Sequence, residues 1–509
     1  MNISIAGASG NMMKGSLKLL FDLDNNIKIK ILTRNPKAKC IKEWIKEYSS
    51  RLEVIVGSVS ERSKIEELVK DADYLINAAA IIPPLSDRHP DESLQTNRNA
   101  QVTIADTIKY LNPDCALIHI STIATYGNRN YKHPWGRVGD PLMPSLFDYY
   151  GSDKLKGERY IVESGLKKWA VIRQTGILYP NILMNNINDP LMFHTPLNVP
   201  IEWITDTDSA MLIRNIIKAE IDGTCPQFWN NIYSLGGGDA MRVTGFDTFQ
   251  VGFSLMGGNA YSFIRPHWHT IRNFHCFWMY DSDELENMFH FQNDTFEGFF
   301  DRVLKEFPII KLGKLVPKQL ITLFVFKRLL RYQNSPMYWL KHNMSDKINA
   351  YYGDKEIARN LSREWDKYPL LVNNQNPDTG EALDYNALKN KKNAVLLSHG
   401  YDESKGEVTI DDVKNAADFR GLKVVDTHGI TGEIEGDDLH TPLLMECLST
   451  GDEFTLSPFG LLRAGYGSPY VTEGRAWKEE LFNRYPFYNQ VWIDSHTESE
   501  RDRVYKSAV

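Results

Sequence analysis

Phe147-Asp148-Tyr149-Tyr150-Gly151-Ser152-Asp153-Lys154 places a phenol and an ammonium four residues apart, so a helix brings Tyr150 and Lys154 onto one face. A phenol with an ordinary pKa of about 10 becomes a usable acid or base near neutrality only beside positive charge. Thr122 stands 28 residues earlier, at the end of the apolar run His119-Ile120-Ser121-Thr122. A hydroxyl at a strand end can hydrogen-bond a reacting oxygen and hold it beside the phenol. The chemistry this trio suits is proton transfer at a carbinol or carbonyl oxygen.

Such a group needs a redox partner, and the N-terminus provides for one. Gly7-Ala8-Ser9-Gly10 follows the apolar run Ile3-Ser4-Ile5-Ala6 and precedes Asn11, Met12 and a helical pattern. Glycines at a first strand-to-helix turn let backbone N–H groups approach a pyrophosphate at the positive end of a helix. The third glycine of that fingerprint is replaced by Met13, which predicts a first helix set further from the sheet. The second strand ends Thr33-Arg34-Asn35-Pro36-Lys37-Ala38-Lys39, with a cation where an NAD site usually carries a carboxylate. Arg34, helped by Lys37 or Lys39, therefore points to the 2′-phosphate of NADP, with NAD as the weaker alternative.

Taken together, GASG, INAAA, STIATYG, YGSDK and IRQTGILYP resemble the extended short-chain dehydrogenase/reductase family, which includes NAD(P)-dependent epimerases and dehydratases. The resemblance covers roughly residues 1–245. It implies that Thr122 is the family's Ser/Thr, Tyr150 its acid/base and Lys154 the lysine that lowers the phenol's pKa and binds the nicotinamide ribose. It further implies a cofactor lined by Gly7, Ser9, Gly10, Asn11, Met12, Arg34, Ser58, Val59, Ala78, Ala79, Ala80, Asn97, Gln174 and Thr175, together with Tyr150 and Lys154. Ser58 stands where such proteins commonly have an aspartate, and Gln174 where they have a proline. Asp208 is read as a capping or structural residue. A homodimer through the helix carrying Tyr150 is a further implication of the family.

These residues need a scaffold. Apolar runs Ile3–Ala6, Ile27–Thr33, Leu52–Val56, Tyr74–Ala79, Ala116–Ser121 and Trp169–Arg173 alternate with helical patterns over Ser63–Lys70 and Asn99–Leu111. This β-α-β order predicts an α/β fold, a Rossmann-type doubly wound parallel sheet. Three sections are expected: an NADP-binding domain over 1–245, with substrate-side segments from about 180; an aromatic-rich substrate or lid region over 246–343; and a C-terminal α+β extension of unknown role over 344–509. In the last, Thr409 with Asp412 forms a capping pattern and Gly421 closes the helix. The segments around Cys447 and Gly465-Tyr466-Gly467 faintly resemble a zinc ribbon that has lost its ligands, so zinc is not expected.

The middle section gives two further signals. His267, His269, His275 and Cys276 lie among large aromatics, which reads as packing or a substrate wall; no metal site is expected. Between Asp301 and Arg331 there are eight Lys/Arg against two Asp/Glu, and residues 318–331 form a basic, apolar helix pattern suited to burial, to covering a lipid-like substrate or to peripheral membrane contact. Those aromatics and that helix tilt the expected substrate toward a large apolar alcohol or ketone. With 65 Asp/Glu against 58 Lys/Arg the net charge is −7, which gives no support for nucleic-acid binding. Five cysteines without a CxxC pair suit a reducing compartment, and no secretory signal is visible, so a cytoplasmic location is expected. The principal reading is an NADP-dependent oxidoreductase. The rivals are a nucleotide-sugar epimerase or dehydratase using its cofactor transiently, and a non-catalytic NADP(H)-binding sensor or scaffold.

Overall fold

The computed structural model describes residues 1–182, 189–469, 485–500 and 503. Seven strands form one all-parallel sheet: β1 (Asn2–Ala6), β2 (Lys28–Thr33), β3 (Leu52–Val56), β4 (Tyr74–Asn77), β5 (Ala116–Thr122), β6 (Trp169–Gln174) and β7 (Asn231–Leu235), in the order β3-β2-β1-β4-β5-β6-β7. Every residue of β5 and β6 is buried, as expected of strands covered on both faces, whereas β3 at the edge alternates with exposed positions. The chain leaves β1 toward β2 and β3 on one side and crosses to β4 on the other. A switch point therefore lies between β1 and β4, where such sheets bind ligands at their carboxyl edge. The sheet is a Rossmann-type doubly wound sheet.

Helices α1 (Ser16–Leu23), α2 (Lys39–Tyr48), α3 (Arg62–Val69), α4 (Ala100–Leu111), α5 (Tyr149–Glu163) and α6 (Asp206–Asp222) accompany the sheet, and a π-helical turn over Leu94–Asn99 leads into α4. The residue replacing the third glycine, Met13, is fully buried beside Leu17 and Ala8. The close approach is made instead at Gly15, where an added Cβ would lie 3.1 Å from the Cβ of Ala210 on α6. Thus the first helix begins later than expected, at Ser16, after a nine-residue run of turns over 7–15.

The C-terminal section is not a separate body. Helix α7 (Ile410–Phe419) carries the expected Thr409–Asp412 capping box, and Gly421 follows at φ +73°. It packs on an antiparallel sheet, β8 (Leu422–Asp426), β9 (Leu443–Cys447) and β10 (Glu453–Leu456). One continuous apolar cluster joins Ile104, Leu155 and Val171 of the first section to Val413, Met445, Phe459 and Trp492 of the last. The two sections therefore share a core across the expected boundary near 343.

The join is polar as well as apolar. Helix α5 is buried along nearly its whole length, with Tyr160 its one exposed residue. On one side Gly157 packs where an added Cβ would meet the Asn97 carbonyl at 2.7 Å; on the other, Glu163 accepts from Ser457, and Arg159 donates to the Gly467 carbonyl. The chain's own C-terminal section thus covers part of the helix through which a homodimer was expected. Among the described residues no helix is long and apolar enough to cross a membrane.

Candidate functional site

Because all seven strands run the same way, the ends of β1, β4 and β5 gather the expected residues on one edge. The Gly7 loop lies directly against the end of β4. Gly7 has φ +85°, and a Cβ there would come within 2.7 Å of the Ala78 carbonyl and the Ala79 nitrogen. The N–H groups of Ser9, Asn11 and Met12 take no partner in the loop's own bonds, which run from Gly10 to Gly7 and from Met13 and Lys14 to Gly10. Ser9, Gly10 and Asn11 are exposed, Met12 is buried and Ala78, Ala79 and Ala80 are half-buried. The loop therefore presents unpartnered donors at a backbone too close to its neighbour for a side chain, which is the form of a phosphate cradle.

At the end of β2, Arg34 and Lys37 are both exposed and neither pairs with a carboxylate among the described residues. Thr33 turns inward and its hydroxyl accepts from the Asn35 nitrogen, fixing the loop that carries them. The Ser58 N–H is held by Glu61 at 2.7 Å, and its hydroxyl oxygen accepts from the Ser60 nitrogen. Val59 is buried beside it.

Thr122 ends β5 and caps the following turn, its Oγ1 accepting from the Ala124 nitrogen at 3.1 Å. Asp148 caps α5 through the Gly151 nitrogen at 2.8 Å, so Tyr150 projects from the first helical turn. The Thr122 hydroxyl reaches the Tyr150 phenol. Burial pushes that phenol up to about 12; the Thr122 hydrogen bond opposes the shift and the Asp148 charge adds to it. A phenol in this state keeps its proton across the neutral range and is set to donate it.

The Lys154 ammonium donates to the Ile120 carbonyl at 2.5 Å and lies 3.3 Å from His119 Nε2. His119 continues the chain to Asn77, whose amide nitrogen lies 3.2 Å from His119 Nδ1 and also bonds Gln101. Burial holds His119 well below its usual range, hence neutral, and brings Lys154 down to about 7 against the support of Glu158. In this structure Lys154 is aimed at β5, where the Ile120 carbonyl beneath it provides an acceptor. A lysine whose folded pKa lies below its unfolded value carries its full penalty below pH 7 and is relieved as pH rises toward 10.5. Lys154→Met should therefore be more stable than wild type by about 2 kcal/mol at pH 6, a gap that closes by pH 10. Urea unfolding at the two pH values measures this, and a gap that widens with pH would contradict it.

Other implied cofactor residues serve the scaffold. Asn97 is fully buried and clamps Ile81, accepting its N–H at 2.9 Å and donating to its carbonyl at 2.8 Å, so it shapes the loop after β4 rather than facing the edge. Gln174 reaches Ser209 at 3.5 Å and Thr175 donates to the Glu202 carbonyl at 2.5 Å, so both side chains are engaged internally. Asp208 accepts from the nitrogens of Asn293 and Asp294, a structural role as expected, while Thr205 is the cap of α6.

The histidines of the middle section separate. His269 lies in the core and contacts the Thr195 carbonyl at 3.0 Å; His275 sits 3.2 Å from Asp148, the cap of α5. Cys276 is buried, which raises its thiol pKa, and Trp278 packs on Trp135. Among the described residues no three of His, Cys, Asp or Glu converge to hold a metal. Sequence reasoning missed what lies beside Phe147 and Asp148 at the start of α5. Lys347 lies over the Phe147 ring at 3.8 Å, Phe147 itself adopts φ +66°, and Tyr351 feels the charges of Asp87 and Asp148. No motif flagged Lys347 or Tyr351, since they reach this place from the C-terminal section.

Several solved structures are similar to this chain. They include dTDP-glucose 4,6-dehydratase from Bacillus anthracis str. Ames in complex with NAD, at 18% identity and a TM-score of 0.48 over 62% of this chain and 98% of that one. A dTDP-glucose 4,6-dehydratase from Streptomyces venezuelae with NAD bound gives 15%, 0.49, 60% and 97%, and UDP-glucuronic acid 4-epimerase from Bacillus cereus in complex with NAD gives 16%, 0.45, 60% and 98%. Likeness at this level concerns the fold. No known family model and no curated protein matches the chain.

Proposed function

We propose that this chain is a nicotinamide-dinucleotide-dependent enzyme of the extended short-chain dehydrogenase/reductase type, acting at a carbinol or carbonyl carbon. The observation that carries this reading is the placement of Thr122 and Tyr150, in mutual reach, on the same sheet edge as the Gly7 phosphate cradle. The bound dinucleotide would supply the hydride acceptor or donor at its nicotinamide ring. Thr122 orients the reacting oxygen, and Tyr150 moves the proton at its phenolic oxygen. In the reducing direction the phenol starts protonated; in the oxidising direction it must first lose that proton, so the oxidation rate should climb with pH through and beyond neutrality.

The surroundings of Tyr150 favour a polar, hydroxyl-bearing substrate over the apolar one expected from composition. Asp148 acts on the phenol, with His275 3.2 Å from its carboxylate and Tyr351 within its field, while the aromatics behind the apolar expectation, Trp268, Phe277 and Trp278, are packed in the core. This supports the transient-redox reading, an epimerase or dehydratase of a sugar-like substrate. Acid denaturation of the purified protein tests it: release of about one equivalent of oxidised dinucleotide supports transient use, and none supports a freely exchanging cofactor.

Exposed, unpaired Arg34 supports NADP; the solved structures named above hold NAD. A charge-assisted contact to the 2′-phosphate contributes about 1.5–3 kcal/mol. Arg34→Ala should therefore weaken NADPH binding about tenfold or more and leave NADH unchanged, read by tryptophan fluorescence. Equal affinities for the two dinucleotides in the wild type would remove the NADP assignment.

A further inference from the structure

Residues 308–331 leave apolar side chains in water. Pro308–Leu315 is a 3₁₀ helix with no buried residue, and at three residues per turn Ile309, Leu312 and Leu315 fall on one face. They are 70%, 56% and 80% exposed. Val316 leads into the next helical stretch, over Lys318–Leu329, where Ile321, Phe326 and Leu329 point into the core beside Phe253 and Phe263. Its opposite side carries Leu320, Leu323 and Phe324, the last 66% exposed. The inner face satisfies the fold, and the outer face is a second apolar face with no covering among the described residues. Soluble monomers seldom leave so many large apolar side chains in succession without a partner.

The charges beside the patch say what kind of partner. Lys311, Lys314, Lys318, Lys327, Arg328 and Arg331 are all exposed, and none pairs with a carboxylate among the described residues. The two acids of the segment, Asp301 and Glu306, both precede it. A second copy of the chain would set six cations against six, since a two-fold contact repeats the same patch on both sides. A bilayer with anionic headgroups instead receives the apolar residues at its boundary and the cations at its surface.

We propose that residues 308–331 form a docking surface for an anionic membrane, in the manner of an interfacial helix and independently of the catalytic reading above. Full-length protein is tested by flotation with vesicles of phosphatidylcholine alone and of phosphatidylcholine with 30% phosphatidylglycerol. The expected result is partitioning at least tenfold greater on the anionic vesicles, reduced by high salt. Leu315→Ser/Phe324→Ser should abolish it, and Lys311→Gln/Lys314→Gln/Lys318→Gln should lower it by roughly fivefold per cation. All five positions are exposed, so the variants should keep the wild-type melting temperature. Failure to float on anionic vesicles, or equal flotation on both kinds, would overturn the proposal. So would a wild-type dimer that Leu315→Ser/Phe324→Ser converts to monomer, which would assign the face to a second copy.

Discussion

Tyr150→Phe should lower turnover of any accepted substrate by about 10²–10⁴-fold, the range for loss of a positioned acid/base, while dinucleotide affinity stays within about twofold of wild type. The ring, its place on α5 and the Asp148 cap are all retained, so only the proton at the phenolic oxygen is lost. Thr122→Ala should cost less, because it removes the orienting hydroxyl and leaves the acid. It should also raise the phenol's pKa further, since the Thr122 contact is the one influence that lowers it. The pH profile separates the two variants: Thr122→Ala keeps the limb belonging to Tyr150 but displaces it to higher pH, and Tyr150→Phe abolishes it. A Tyr150→Phe protein with undiminished turnover would remove the acid/base role from Tyr150.

The second large effect is on stability, and it comes from the join between the first and last sections. Glu158 on α5 and Arg173 on β6 form an ion pair at 2.7 Å, both side chains fully buried. Around them Ser121 and the Tyr466 hydroxyl donate to Glu158, and Arg173 donates to the Tyr126 hydroxyl at 2.8 Å and to the Ala464 carbonyl at 2.7 Å. Burial disfavours the charged guanidinium, but the Glu158 carboxylate overrides it and holds Arg173 well above its usual range. Removing one member leaves the other charged in the interior, at a cost of about 3–5 kcal/mol. Arg173→Met should lower the urea midpoint accordingly and expose the C-terminal section to protease. Arg173→Met combined with Glu158→Leu should recover much of the loss, because no unpaired charge remains. A double variant as unstable as the single would show that the hydrogen bonds to Tyr466 and Ala464, rather than the charges, hold the join.

Much of the first section is legible from local pattern. Six of the seven strands fall within a residue or two of their apolar runs, because each is short, buried and bounded by turn residues. The seventh, β7, escapes notice since Asn231-Ile232-Tyr233-Ser234-Leu235 follows aromatic loops and is defined only by its pairing with β6. Thr122 and Tyr150 are legible because strand end and helix start are sequence features. The direction of Lys154 is not. It depends on His119, 35 residues away on β5, which reads from the sequence as one polar residue in an apolar strand. Asn97, Gln174 and Thr175 were legible as positions but not as orientations, since each amide or hydroxyl found its partner in an element distant in sequence. The C-terminal section is opaque for the same reason: Glu163, Arg159 and Glu158 look like a solvated helix face until Ser457, Gly467 and Tyr466 arrive to cover them.

The central claim, that the Gly7 loop holds a dinucleotide pyrophosphate in front of Thr122 and Tyr150, is tested most directly by calorimetric titration of NADPH and NADH into wild type and Gly10→Glu. Gly10 is exposed and its φ is not in the left-handed region; an added Cβ would lie 3.1 Å from the Gly7 carbonyl oxygen, so a glutamate there alters the charge of the cradle at the cost of a shift of a few tenths of an ångström in the loop. The expected result is binding of at least one dinucleotide by the wild type, weakened tenfold or more in Gly10→Glu at an unchanged melting temperature. Equal affinity in the variant, or no heat with either dinucleotide, would contradict it.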